Sequence, residues 1–328
     1  MTSPHAAATF AVVDAALRAA IRAPSPHNTQ PWRFEVREDR IDLLLDERRV
    51  LGVCDPDARE ATLACGAALL NMRLALAEQG RAHVVDLLPD HARPTLLARV
   101  RVGGRHNASP HELKLAGAIR YRHTNRRPFL DRTVPGHVRD ALVAAAAEEG
   151  ARLVLLEQPV RLDALVALLR RADHLQSQDA AFQAELHQWT PQHHRPDGVP
   201  RSAGGPRALD GGLLALRDYG GPASRAERSF EQNPLVAILT TVSDTRSNRL
   251  RAGQAMQRAL LTATAAGLNA SFLSQPIEVE STRTELRAEL GGHDQPQTVL
   301  RFGYGYPGPS TPRRPVEAVT RRERSDGR

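Results

Sequence analysis

The stretch Ala23-Pro-Ser-Pro-His-Asn-Thr-Gln-Pro-Trp-Arg-Phe34 decides how this chain is read. It sets Pro24, Pro26 and Pro31 among two amides, Asn28 and Gln30, and two hydroxyls, Ser25 and Thr29, directly after a helical pattern. Proline fixes φ and removes a backbone donor, so the run cannot prolong the helix and is held in turn or extended geometry. The polar side chains then stand on a stiff loop, as a polar, planar ligand requires. An ordinary helix-to-strand turn has the same composition, and these residues alone leave both readings open.

Before this loop, Phe10, Val13, Ala16, Leu17 and Ile21 carry helical apolar spacing over 8–22. After it, 32–36 and 41–45 read as a strand pair and 57–79 as a long buried helix ended by Gly80. Strands near 83–88 and 96–102 follow, then a helix over 110–121 with Ser109 as its cap. The second half reads as helix 136–149, strand 152–156 and a helical stretch 160–187. Beyond a Pro- and Gly-rich segment, 190–233, come strand 235–242, helix 247–266, strand 268–273, helix 281–290 and strand 298–302. The tail from Arg313 is basic and reads as extended. A connection as long as 190–233 is usually functional or disordered, and it is a candidate lid.

An internal repeat runs through this order. Residues 64–80 lie on 251–267 at a constant offset, so that Gly66 meets Gly253, Ala68 meets Ala255, Leu74 meets Leu261 and Gly80 meets Gly267. Chance likeness between two Ala- and Leu-rich helices gives the same matches.

A second constellation follows the helix at 110–121. In Arg122-His-Thr-Asn-Arg-Arg-Pro-Phe129, an extended backbone puts Arg122, Thr124 and Arg126 on one side. In a helix Arg122 and Arg126 still share a face. Two guanidiniums around a hydroxyl suit a phosphate monoester, and equally describe a solvated basic turn. Arg313 and Arg314 stand after the Gly-rich strand end at 301–307 and are placed to reach the same phosphate.

Composition narrows the class. The net charge is +7, but Lys114 is the only lysine, acidic residues are interleaved throughout and aromatics make up 4%. That argues against a nucleic-acid surface, which wants basic patches interleaved with stacking aromatics. The two cysteines, Cys54 and Cys65, form no disulfide framework or metal-ligand spacing, and a cytoplasmic setting is expected. No apolar run is long enough to span a bilayer. His187, His193 and His194 read as a surface loop, with no metal expected.

Together these motifs resemble the nitroreductase family of flavoproteins, in particular its Acg-type branch of single-chain FMN-binding proteins. The likeness rests on 23–34, on 122–129, on the helix–strand unit 253–275 and on the close of the chain through Arg313 and Arg314. It implies an α+β sandwich with a mostly antiparallel sheet flanked by helices. Its two halves, 1–115 and 116–328, would form a pseudo-dimer with one complete flavin site and one degenerate site. It implies an FMN-dependent oxidoreductase, with NAD(P)H as reductant and a nitroaromatic or quinone-like small molecule as acceptor. The alternative is an FMN-sequestering protein with its flavin under the 190–233 lid. By the same likeness Arg122, Thr124 and Arg126 bind the phosphate, with Arg313 and Arg314 adding to it. Ser25, Asn28 and Gln30 approach the ribityl chain and ring, and Ser274, Gln275 and Pro276 line the ring. Pro26 stands where many members carry a second serine. No catalytic side chain is expected, because the flavin carries the electrons. Neither nucleic acid nor membrane is expected as a partner, and the chain is expected as a monomer or homodimer.

Overall fold

The computed structural model describes residues 4–37, 40–193, 195–205, 213–214, 216–220, 231, 233–306 and 308–322. The first half runs α1 (Pro4–Ala20), β1 (Trp32–Arg37), β2 (Arg40–Leu45), α2 (Arg59–Glu78), β3 (Arg81–Leu87), β4 (Leu96–Arg105) and α3 (Pro110–Ala118). Ser109 Oγ accepts the Glu112 N–H while the Glu112 carboxylate accepts the Ser109 N–H, so α3 starts on a capping box. The second half runs α4 (Gly136–Ala147), β5 (Arg152–Leu155), α5 (Pro159–Gln178), α6 (Ala180–Gln188), β6 (Leu235–Thr241), α7 (Arg246–Ala265) and β7 (Asn269–Phe272). It closes with α8 (Gln275–Glu278), α9 (Glu280–Glu289), β8 (Gln295–Gly303), α10 (Val316–Val319) and β9 (Thr320–Arg322).

Two readings need correction. The helical stretch expected over 160–187 breaks at Asp179, whose carboxylate caps α6 by accepting from the Ala181 and Phe182 N–H groups. The tail is not simply extended: α10 forms a turn whose Val316 and Val319 are buried, and β9 pairs in parallel with β1. Residues 323–328 lie outside the described residues, as does much of the 190–233 segment.

The strands form two sheets, ordered β3-β4-β2-β1-β9 and β5-β6-β8-β7. Every pairing is antiparallel except β1 with β9. Read from its other edge, the second sheet is β7-β8-β6-β5, which reproduces β3-β4-β2-β1 element for element. The long helix follows the second strand in both halves. This matching topology makes the helix repeat structural rather than accidental.

The expectation that no run is long enough to span a bilayer also needs correction: α2 is long and apolar enough by length and composition, yet it lies inside the protein. It packs on α7, and one continuous core joins side chains from both helices and both sheets. The crossing is governed by the repeat-related glycines. A Cβ at Gly66 would lie 2.2 Å from Leu250 O, and one at Gly253 would lie 2.0 Å from Leu63 O. Each helix thus sets its backbone against the other's carbonyl at equivalent positions, an approach only glycine permits.

Candidate functional site

A cleft of about 680 Å³ opens between the two halves. Its first wall is the Pro24–Asn28 loop with Glu60, Leu63 and Ala64 of α2. Its second is Thr124, Arg126, Met256, Phe272, Ser274, Glu278 and Thr298. Thr311 and Arg313 of the tail close one side, and Arg217 and Tyr219 lie over the other. The tail reaches the cleft because β9 must return to the edge of β1.

The loop at 24–30 is strained as well as stiff. His27, Asn28 and Gln30 have φ of 44°, 57° and 53°, a region non-glycine residues seldom occupy. Ser25 Oγ accepts the Gln30 N–H at 2.9 Å and so braces the turn. Strain of this kind persists where the surroundings over-determine it, and here those surroundings are other parts of the chain. Asn28 Nδ2 donates to Gly198 O at 2.9 Å and to Pro312 O at 3.1 Å. Gln30 Nε2 donates to Pro196 O at 2.8 Å, while its Oε1 accepts the Arg314 N–H at 2.8 Å.

Thr124 forms an isolated parallel bridge with Ala270, and Asn125 N donates to Ala270 O at 2.9 Å. The 122–126 segment is therefore extended, which gathers Arg122 and Arg126. Arg126 Nη1 donates to Ala203 O at 3.2 Å, and its guanidinium lies 4.8 Å from the Tyr219 ring centroid. Arg313 donates to Asn28 Oδ1 at 3.0 Å, Thr311 Oγ1 at 2.7 Å and Ala23 O at 3.1 Å. Arg122 is buried, with one long contact to Arg22 O at 3.4 Å. Among the described residues none of these three guanidiniums meets a carboxylate. Nε of Arg122 and Nε of Arg313 are buried without any hydrogen-bond partner.

The electrostatics follow. Burial, then Arg126, pulls the Arg122 pKa down to about 10. Burial, then Arg122, Arg22 and Arg126, pulls that of Arg313 to about 9. Burial also lowers Arg126. Arg122, Arg126 and Arg313 are thus buried or half-buried cations held together with no carboxylate among the described residues.

One of the covering residues, Arg217, forms an ion pair. Arg217 donates to Glu278 through both terminal nitrogens and to Gln176 Oε1 at 3.0 Å, and Gln176 Nε2 donates to Glu278 Oε2 at 2.6 Å. Burial would raise the Glu278 carboxyl, but Arg217 and Gln176 hold it below the usual carboxylate value. Burial, then Arg217, brings the His27 imidazole down to about 3, so it stands neutral. His27, Cys54 and Glu278 place potential metal-ligand atoms within 4.8 Å of one another, but Glu278 is committed to Arg217 and burial pushes the Cys54 thiol up.

Of the residues singled out in the sequence, Ser25, Asn28, Thr124, Arg126, Ser274 and Arg313 line the cleft. Arg122 lies behind them, coupled to Arg126 and Arg313. Gln275 lines a smaller adjoining cavity, and Pro276 is buried beside it. Gln30 is wholly buried and tied to backbone groups, and Arg314 turns its guanidinium to Ala318 O. These two do not line the cleft. Glu60, Met256, Phe272, Thr298, Arg217, Tyr219 and Glu278 were not anticipated, for they carry no local signal and meet only in the fold.

The repeat brings a second location into view. The loop after α4 corresponds to the loop after α1, and there Glu149 accepts from Arg73 at 2.7 Å and from Arg258 at 2.9 Å. Those arginines are already neutralised by protein carboxylates.

No family model matches the chain. Two Mycobacterium tuberculosis proteins are similar to it over most of their length. One, designated NAD(P)H nitroreductase acg, is 31% identical over 323 residues, which is 96% of this chain and 97% of that protein. The other, designated NAD(P)H nitroreductase Rv3131, is 36% identical over 313 residues, 92% of this chain and 89% of that one. Among solved structures, a protein from Anabaena variabilis described as a nitroreductase superposes with a TM-score of 0.54 at 11% identity, over 93% of this chain and 90% of its own. That likeness concerns the fold alone.

Proposed function

Since this chain belongs to the nitroreductase family, sharing 31% identity with acg over nearly its whole length, we propose that it is an FMN-dependent oxidoreductase that takes electrons from NAD(P)H. The acceptor would be a small nitroaromatic or quinone-like molecule. The observation that carries the reading is the carboxylate-free cluster of Arg122, Arg126 and Arg313 at one end of the cleft. Unpaired buried guanidiniums are costly, and a phosphate dianion compensates them with charge-assisted hydrogen bonds.

The rest of the cleft fits the remainder of that cofactor. Leu63, Ala64, Met256 and Phe272 offer apolar surface to a planar ring, and Ser25, Ser274, Thr298 and Thr311 offer hydroxyls to a polyol chain. Bound there, the flavin supplies two-electron transfer, while the protein orients it and excludes water. Thr124 would add a neutral donor between the arginines. Asn28 and Gln30 would act one step back, holding the loop and the tail in place. Gln275 and Pro276 would shape the ring's surroundings from behind Ser274. Arg314 would anchor the tail through its backbone. We extend the proposal to a single flavin per chain, built between halves 1–115 and 116–328, because the arginines beside the loop after α4 are already paired with Glu149. A cytoplasmic setting belongs to the same proposal.

A second reading is favoured by one feature. Pro196, Gly198 and Ala203 are tied to Asn28, Gln30 and Arg126 beside the cleft, and Arg217, which lines it with Tyr219, is held by Glu278. A lid fixed in this way would leave the flavin sequestered. Reconstitution with FMN followed by anaerobic NADPH separates the readings. Bleaching of the flavin absorbance supports the reductase, whereas persistent colour supports sequestration. Failure to retain FMN supplied in excess refutes both.

A further inference from the structure

Glu60 stands in the first turn of α2 on the cleft wall, and the reading above assigns it no role. Its backbone is seated firmly. The Asp55 carboxylate accepts the Glu60 and Ala61 N–H groups at 3.0 and 2.9 Å. The side chain faces the cleft, and among the described residues its carboxyl has no hydrogen-bond or ion-pair partner.

Its charged neighbours are two carboxylates, Glu278 and Asp55, and two guanidiniums, Arg217 and Arg59. Both cations are committed elsewhere. Arg217 holds Glu278 and Gln176. Arg59 holds Asp244 at 3.0 Å, together with Pro296 O and Gln297 Oε1 at 3.2 Å each. Burial, then Glu278 and Asp55, therefore raises the Glu60 carboxyl well above the usual range. Of the two carboxyls lining the cleft, Glu278 is committed to Arg217, whereas Glu60 stands without a cation of its own.

We propose that Glu60 is the proton donor of this cleft, serving a two-electron acceptor of the quinone class. The inference rests on the oxidoreductase reading above. Such an acceptor becomes a hydroquinone by gaining one hydride and one proton. NAD(P)H would supply the hydride, with FMN as its carrier. The proton comes from Glu60: its carboxyl O–H bond breaks, an O–H bond forms on the acceptor oxygen, and the carboxylate left behind regains a proton from water. Neighbouring Glu278 and Asp55 make that return favourable, because they disfavour a third negative charge. A positioned acid of this kind contributes about 10²–10⁴-fold to a rate.

The test compares two acceptors in the FMN-loaded protein and adds a spectroscopic readout. Ferricyanide takes single electrons and no proton, whereas a benzoquinone needs the proton. In Glu60→Gln the ratio of benzoquinone to ferricyanide turnover should fall by about 10²-fold or more, and Glu60→Asp should recover part of it. Infrared spectra at neutral pH should show a protonated-carboxyl stretch that shifts in deuterated water and is lost in Glu60→Gln. An unchanged ratio, or absence of that band from the unsubstituted protein, overturns the assignment. Retained FMN with no turnover of either acceptor refutes the reductase reading itself, and the proton-donor role falls with it. That outcome differs from an unchanged ratio in an active enzyme.

Discussion

Replacing Arg122 with methionine should move stability and affinity in opposite directions. Arg122 is buried, and among the described residues its guanidinium makes one hydrogen bond, the 3.4 Å contact to Arg22 O, and its Nε has no partner. Holding that guanidinium charged with a pKa of about 10, rather than the usual arginine value, corresponds to a cost of about 3 kcal/mol in the ligand-free protein. Methionine keeps the apolar stem and removes the charge, so much of that cost is recovered. Repacking returns part of the gain, and the net rise in ligand-free stability should be about 1–2 kcal/mol. Loss of a charge-assisted bond to the phosphate should meanwhile weaken FMN binding by about 1.5–3 kcal/mol, roughly 10- to 150-fold. Urea unfolding of the ligand-free protein and fluorescence titration with FMN measure the two effects. A variant that is less stable without ligand and still binds FMN at full affinity would show Arg122 to be an ordinary structural residue, and the phosphate assignment would fail.

Gly253→Ala should destabilise by about 3 kcal/mol or more, because its Cβ would fall 2.0 Å from Leu63 O, a backbone atom that moves only if α2 and α7 separate; thermal melting reads this out. FMN affinity should fall as pH rises through about 9, where the Arg313 pKa lies: the ligand favours the charged form, and deprotonation of Arg313, then of Arg122 near 10, removes what it binds. In the ligand-free protein the sign reverses. The unfolded chain binds more protons above pH 9, so folding stability should rise there, and urea titrations at two pH values check it. Arg217→Ala should speed FMN release and expose 196–205 to protease, while leaving Glu278 buried and unpaired at a cost of about 3–5 kcal/mol; Arg217→Ala combined with Glu278→Gln should keep the faster release and regain much of the stability.

The parts of this molecule that sequence makes legible are those set by local periodicity and by stiff residues. The long helices α2 and α7 could be placed because apolar spacing persists over many turns and glycine ends each one. The repeat could be seen only weakly, since four shared residues in Ala- and Leu-rich helices carry little information. Its meaning lies in the contact between Gly66, Gly253 and two carbonyls, a relation between distant segments. The break at Asp179 was missed because the flanking apolar spacing is uninterrupted, while a cap costs only one short side chain. β9 was missed because an edge strand of three residues has no pattern of its own, and its pairing depends on β1, nearly three hundred residues away.

The arginine motif and the proline loop each permitted a bland reading, and what separates the readings is the absence of acids around the cluster. Arg73 and Arg258 show the contrast. They too are half-buried or buried guanidiniums near the α2–α7 contact, but Glu149 pairs with both and Glu148 pairs with Arg258 as well, so they ask for no ligand. Arg122, Arg126 and Arg313 sit in an equally enclosed place with carbonyls, a phenol ring and one another. Two arginines with carboxylates thus give a structural knot in one location, while three without them give the proposed anion site in the other. The same reasoning explains Asn28 and Gln30. Their amides suit a ligand in the abstract, yet a buried amide is satisfied by whichever partner the fold supplies first. Here that partner is the backbone at 196–198 and 312–314, which ties the loop to the segment that carries Arg313.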